Sequence, residues 1–233
     1  MSVTRIYVPR ETTAVSVGAD EVAVAIAREA KRRGAEIELA RNGSWGACWL
    51  EPLVEVARSE QRIAYGNVAA DDVPALFDAG LLEGGDHGSR LGPVNEIEYL
   101  NSQDRWTFWR CGLVEALSLE DFLAHQGFGA LQKAWDIGPD AVIEAVTESG
   151  LRGRGGAGFP AGIKWRTVAD TTSDRKYIAC NADEGDSGTF SDRMLMEGDP
   201  FGLIEAMAIA GFAVGASKGY IYLRSEYPLT HTI

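Results

Sequence analysis

Apolar and polar positions alternate at two different periods along the first eighty residues. Residues 4–8, TRIYV, read as a short strand, and 20–33 place Val22, Ile26, Ala27 and Ala30 on one helical face with Gly34 closing the helix. Apolar and acidic residues alternate over 36–40, which predicts a strand. Asn42 and Gly43 predict a turn, and 53–57 with 62–65 predict a hairpin. Asp71 or Asp72 is expected to cap a helix that buries Val73, Leu76 and Phe77 and ends at Gly80. Farther along, 105–110 alternates like a strand, and 119–126 and 128–136 read as helices. Residues 139–146 read as a helix with proline in its first turn, stopping at Gly150. A buried strand is predicted over 176–180. An apolar helix capped by Asp199 follows over 199–214, and a strand over 220–223 completes a further βαβ unit.

The β-α-β-β-α order at the start is compatible with a thioredoxin-like domain. The glycine-rich, polar run over 82–92, with Pro93 behind it, marks a boundary. The expected division is a thioredoxin-like domain over 1–84, a linker over 85–95 and a second domain over 96–233. A chain of 233 residues with 45% hydrophobic content has the material for two such cores. Its 22 Lys and Arg against 34 Asp and Glu give a net charge of -12, which opposes nucleic acid and anionic membranes as partners. No apolar run approaches the roughly 20 residues that span a bilayer, and residues 1–8 lack a signal-peptide apolar region, so a cytoplasmic protein without direct membrane insertion is expected. Cys48, Cys111 and Cys180 are far apart and form no C-x-x-C pair, so local spacing yields neither a disulfide framework nor a metal site.

The densest candidate chemistry lies over 150–165, GLRGRGGAGFPAGIKW. Glycine at this density leaves backbone N–H groups bare. Arg152, Arg154 and Lys164 suit a phosphate, and Phe159 and Trp165 suit a flat ring. A flexible linker is the alternative, although linkers are serine-rich and lack such Phe-Pro and Lys-Trp pairs. Residues 153–158 satisfy G-x-G-x-x-G, yet a helix precedes them where a dinucleotide fold requires a strand. A Walker A loop fails as well, because Lys164 follows Ile163 and precedes Trp165. The predicted strand over 176–180 delivers Asn181, Asp183, Glu184 and Asp186 at its C-terminal end, where α/β folds place ligands. These acceptors suit ribose hydroxyls or amide N–H groups; a solvated turn is the other reading.

Two resemblances sharpen this picture. Residues 44–52, SWGACWLEP, resemble the second cluster loop of thioredoxin-like two-iron ferredoxins, which hold their cluster with four cysteines. Ser44 stands where one cysteine of the second pair would lie, Cys48 keeps the other, and the first pair is missing, so the domain is expected to be a docking or scaffolding module without a cluster. The alternative is an unrelated α/β domain with Cys48 as a small buried hydrophobe. The second resemblance is carried by 150–165 followed by 178–184, IACNADE, and 187–193, SGTFSDR. It extends back through 110–112 and 127–135. In order and spacing these stretches resemble the NADH-binding flavin subunits of respiratory NADH dehydrogenases (complex I), with relatives in NAD-reducing hydrogenases and NAD-linked formate dehydrogenases.

The resemblance implies an α/β chain in which the thioredoxin-like domain is followed by an incomplete FMN-binding domain of the complex I flavin-subunit type. It implies FMN and NAD as cofactors, hydride exchange between them, and onward electron transfer to iron–sulfur clusters. By motif position, Gly153, Arg154, Gly155, Gly156, Lys164, Asn181, Asp183 and Glu184 would contact FMN, while Ala157, Phe159 and Asp186 would face NADH. No side chain is expected to be catalytic and none to bind metal, because hydride passes directly between cofactors. The family usually carries a glutamate at the position of Asp186, and many members carry an aromatic residue at that of Thr167. Family members continue into a second flavin loop, a ubiquitin-like domain and a helical domain holding a 4Fe-4S cluster. None of these is in this sequence, so an N-terminal fragment that holds FMN weakly is expected. The implied partners are the iron–sulfur and catalytic subunits of a multi-subunit oxidoreductase. The fused cluster-free domain is closer to the beta subunit of NAD-dependent formate dehydrogenase. The alternative reading is a non-catalytic docking or assembly fragment that binds partner subunits through its thioredoxin-like domain.

Overall fold

In a computed structural model, which describes residues 3–59, 61–154, 156–186 and 188–233, the N-terminal elements are β1 (Thr4–Tyr7), α1 (Thr12–Ser16), α2 (Ala19–Arg33), β2 (Ile37–Ala40), β3 (Val54–Arg58), β4 (Gln61–Tyr65), α3 (Val73–Asp78) and β5 (Arg90–Pro93). The strands form one sheet in the order β2-β1-β3-β4-β5. β1 and β2 pair in parallel around the crossover helix α2, and β3 lies antiparallel to both β1 and β4. A parallel pair joined through a helix, followed by an antiparallel hairpin and a second helix, is the thioredoxin-like arrangement.

Period-two alternation decides what each face of the sheet meets. Val54 and Val56 of β3 and Ile63 and Tyr65 of β4 point into a core with Ile6, Val22, Ile26 and Leu76, which α2 and α3 cover. Glu55, Arg62 and Ala64 point the other way. There Ala64 packs with Leu53, Val94 and Leu100, and Arg62 donates to the carbonyls of Gly112 and Leu113. The second face is thus roofed by residues from farther along the chain.

Several local expectations change. The segment 85–95, expected as a linker, contains β5, which pairs antiparallel with β4. Asp72 accepts from the N–H of Ala69 and caps that turn, giving no side-chain cap to α3. Cys48 is exposed, so its role is not that of a buried hydrophobe. Ser44, which the resemblance sets at a cluster-cysteine position, is buried, and its hydroxyl donates to Glu51 Oε1 at 2.7 Å, while Glu51 Oε2 accepts from the N–H of Leu53 at 2.8 Å.

Burial pushes the Glu51 carboxyl up to about 7, and the nearby Glu11 and Glu55 add to that rise, against the lowering effect of its two hydrogen bonds. An acid whose folded pKa exceeds its unfolded value stabilises the fold at low pH and loses that contribution as pH climbs through the folded value. Glu51 is therefore expected to remove about 3 kcal/mol of stability between pH 4.5 and 7. Urea titrations of wild type and Glu51→Gln across that interval should diverge, with the variant losing less as pH rises. Parallel pH profiles would refute the assignment.

The second part consists of α4 (Glu98–Asn101), α5 (Leu119–Ala124), α6 (Gly129–Ile137), α7 (Pro139–Glu148), α8 (Ala161–Asp170), β6 (Tyr177–Ala182), α9 (Ser191–Gly198), α10 (Pro200–Val214) and β7 (Lys218–Leu223). Residues 105–110 form turns and bends rather than the expected strand. Arg110 turns inward to Asp199, Arg105 lies over the Trp45 ring, and Trp106 is 81% exposed, so side-chain partners override the alternation. α10 is apolar around its circumference except at buried Glu205, which accepts from the N–H of Leu131, and it packs in two directions. Ile209, Phe212 and Ala213 meet Ala134, Val142, Ile143 and Trp165, while Leu203 joins Cys180, Leu223 and Met196. β6 and β7 pair in parallel as a two-stranded sheet, joined through α9 and α10. β6, expected to be buried, alternates between exposed and half-buried positions up to Ala182, because β7 covers one of its edges and α10 one face. Among the described residues no helix is long and apolar enough to cross a membrane.

Candidate cofactor-binding site

The glycine-rich segment is a pinched loop between α7 and α8. The N–H of Gly153 donates to Phe159 O and that of Ala161 to Leu151 O, both at 2.8 Å, closing the neck at a bridge between Arg152 and Pro160. Arg152 Nε donates to Gly158 O at 2.6 Å, so this arginine braces the loop from within. Gly158 has φ +52 and Gly150 φ +68, left-handed values that side chains disfavour. At the tip, the backbone N–H groups of Arg154, Gly156, Ala157 and Gly158 have no acceptor among the described residues. A Cβ at Gly156 would meet no described atom within 4 Å, so nothing in the described packing of this chain requires glycine there. Bare donors around an open glycine are what a closely approaching anionic or flat group requires.

Lys164 lies in the first turn of α8, and its Nζ would stand 3.9 Å from a Cβ on Gly153. The helix is seated by Gly162, where a Cβ would fall 2.1 Å from Thr147 Oγ1 of α7. Only glycine lets the two helices approach so closely. After α8, residues 171–176 turn back into β6, and Lys176 Nζ donates to Ala169 O at 2.8 Å across that turn. Trp165 and Ala169 of α8 pack against α10, which also packs against β6. Gly153, Arg154, Gly156, Ala157, Phe159 and Lys164 lie in the glycine loop and the first turn of α8, and Asn181, Asp183 and Asp186 lie at the end of β6 and in the loop after it. Gly155, also assigned to the site from sequence, lies outside the described residues.

The acidic residues of this loop divide into two groups. Asn181 Oδ1 accepts from the N–H of Asp183 at 3.2 Å, which leaves its amide donors available, and no described residue donates to the side chains of Asp183 or Asp186. Glu184 is instead committed within the protein. Its Oε1 accepts from the N–H of Asp192 at 2.8 Å and Ser191 Oγ at 3.1 Å, and its Oε2 accepts from the N–H of Arg193 at 3.1 Å and Tyr227 OH at 2.8 Å. Burial alone would raise this carboxyl, but the two amides at the start of α9 and the Tyr227 hydroxyl outweigh it and hold Glu184 below the ordinary carboxylate range. Arg224 Nη1 donates to Glu184 O at 2.7 Å, fixing a backbone with φ +44. Arg224, Tyr227 and Ser191 are thus parts of the site that sequence reasoning missed. No local signal marks Arg224 or Tyr227, because they lie about forty residues downstream.

Among the described residues, no three His, Cys, Asp or Glu side chains are grouped to hold a metal ion. Residues 146–232 match the family of Nuo51 FMN-binding domains. The chain is 50% identical over 119 residues to an NADP-reducing hydrogenase subunit, HndC, of Solidesulfovibrio fructosivorans, covering 51% of this chain and 24% of that protein. It is 51% identical over 110 residues to an NADH-quinone oxidoreductase subunit of Rhizobium meliloti, covering 47% and 26%. The matches span about a quarter of the length of those relatives. A crystal structure of an NAD+-reducing NiFe hydrogenase is similar over 99% of this chain and 39% of its own, at 25% identity and a TM-score of 0.44. The match to the Nuo51 FMN-binding domains thus takes in residues 146–232, which hold both the pinched glycine loop and the acidic loop.

Proposed function

We propose that this chain is the flavin- and nicotinamide-binding portion of a subunit of an NAD(P)-linked oxidoreductase. The observation that carries the reading is the open glycine tip, whose N–H donors have no acceptor among the described residues, with the Lys164 ammonium beside it, in the segment that matches an FMN-binding domain. In this reading the N–H groups at 154–158 and Lys164 hold the flavin phosphate, and Asn181 and Asp183 hold ribityl hydroxyls or ring N–H groups. Ala157, Phe159 and Asp186 line the nicotinamide side, and Glu184 supports the site by holding α9 in place. Bound FMN would supply the ring nitrogen that accepts hydride. The chain's own work is to orient two flat rings and leave room for their contact. Titration of FMN against the purified chain should give saturable quenching of flavin fluorescence at one flavin per chain, and added NADH should bleach the bound flavin. Absence of any quenching would oppose the reading.

A finer assignment, the beta subunit of an NAD-dependent formate dehydrogenase passing electrons to iron–sulfur partner subunits, is supported by the fused thioredoxin-like domain that lacks its cluster cysteines. Complexes purified through this chain should then reduce NAD with formate. Reduction driven by hydrogen alone would exclude formate as the donor.

A further inference from the structure

The two parts of the chain meet along a seam that is polar and buried, and one element of that seam leads directly to the candidate site. Helix α9 begins at Ser191, and its first residues donate to the Glu184 carboxylate of the acidic loop. Glu197, near the other end of α9, is fully buried. Its Oε2 accepts from the N–H of Thr12 at 2.6 Å, and its Oε1 accepts from Thr12 Oγ1 and Thr230 Oγ1, both at 2.8 Å. One turn earlier, Arg193 Nη2 donates to Thr13 Oγ1 at 2.8 Å and stands 3.8 Å from Glu11 Oε2. Its guanidinium lies over the Phe190 ring at 4.3 Å. Glu11 in turn accepts from the N–H of Ala14 and so caps α1 of the N-terminal domain. Beside these bonds the backbones themselves touch, for a Cβ on Gly43 would lie 2.6 Å from Gly198 Cα.

Of the α9 side chains, Met196 alone joins an apolar cluster among the described residues. The helix is held to the N-terminal domain by directional, charge-assisted hydrogen bonds, with Met194 packed beside Gly46. Its N-terminal amides are the groups that hold Glu184. A continuous path of bonds therefore runs from α1 through Thr12, Thr13, Glu197 and Arg193 along α9 to Glu184 and the loop at 181–186.

We propose that the thioredoxin-like domain, though without cluster cysteines, positions the cofactor loop through α9, with Glu197 and Arg193 as positioning residues. The consequence for flavin rests on the function proposed above; the consequence for loop order does not. Thr12→Val removes one hydroxyl donor to Glu197 while keeping size and the backbone N–H, and Thr12→Ser restores the donor. In the full chain, Thr12→Val should speed amide hydrogen exchange over 181–193 about tenfold while exchange in β1, β3 and β4 stays at wild-type rates. It should also raise the FMN dissociation constant about tenfold. Thr12→Ser should return both to wild type, and Glu197→Ala combined with Thr12→Val should be no worse than Glu197→Ala alone. The proposal is overturned if Thr12→Val leaves exchange over 181–193 unchanged, if exchange rises equally throughout the chain, or if Thr12→Ser fails to rescue. If neither wild type nor variant binds FMN, the flavin reading fails while the exchange data still decide the positioning role.

Discussion

In an otherwise intact subunit, Gly156→Val is expected to abolish NADH oxidation while leaving the fold intact. A Cβ at this position enters open space, with no described protein atom within 4 Å, so the substitution creates no clash among the described residues. In the function proposed above, the same space is where a flat ring would approach the tip N–H groups, which have no acceptor among the described residues. Two isopropyl methyls there would hold the ring off the backbone by more than about 1 Å, and a misplacement of that size from a reacting distance of about 3 to 3.5 Å costs on the order of a hundredfold in rate. Loss of phosphate contacts would add failure to bind. The checking measurements are flavin content after gel filtration, NADH:ferricyanide activity and a thermal melt by circular dichroism. Full activity with bound flavin would show that the ring does not approach this glycine. An early melt would show instead that position 156 matters to the fold.

The second large effect is expected at the base of α10. Arg110 Nε donates to Asp199 Oδ2 at 2.8 Å, and both side chains are more than nine-tenths buried. The guanidinium lies 4.6 Å from both the Trp109 and Phe122 ring centres, and Asp199 Oδ1 also accepts from the N–H of Gly202 to cap the helix. Burial pushes the Asp199 carboxyl above its ordinary range in spite of the arginine, a sign that desolvation here is severe. Gly202 permits the arrangement, since a Cβ there would sit 2.4 Å from Asp199 Oδ2 and 2.6 Å from Arg110 Nη2. Asp199→Ala strands a buried cation and removes a cap. It is expected to cost about 3–5 kcal/mol, read as a lower urea midpoint at an unchanged slope. Asp199→Asn, which keeps the cap acceptor but not the charge, should fall between. A loss below about 1 kcal/mol would mean that water reaches the arginine.

Glu184 shows how a residue assignment and its role can separate. The Asn-Ala-Asp-Glu run placed it in the loop at the strand end, where it is found. Proximity in sequence carried no information about which carboxylates face outward. That is settled by the amides of α9, by Tyr227 and by Arg224, and these leave Asp183 and Asp186, but not Glu184, without protein donors among the described residues.

The sequence by itself determined the elements whose burial is set by near neighbours: α2 with its apolar face, the β3–β4 hairpin, the apolar α10 and its Asp199 cap, and the glycine loop entered from a helix. Each follows from spacings of one to four residues, the range over which backbone geometry repeats. Tertiary structure alone decided that 105–110 bends instead of forming a strand, that β5 joins the first sheet, and that α9 is bonded to residues 12 and 13. Those outcomes depend on pairs separated by tens to nearly two hundred positions. A buried donor or charge takes whichever partner the fold brings within about 3 Å, and no local pattern of polar and apolar residues names that partner in advance.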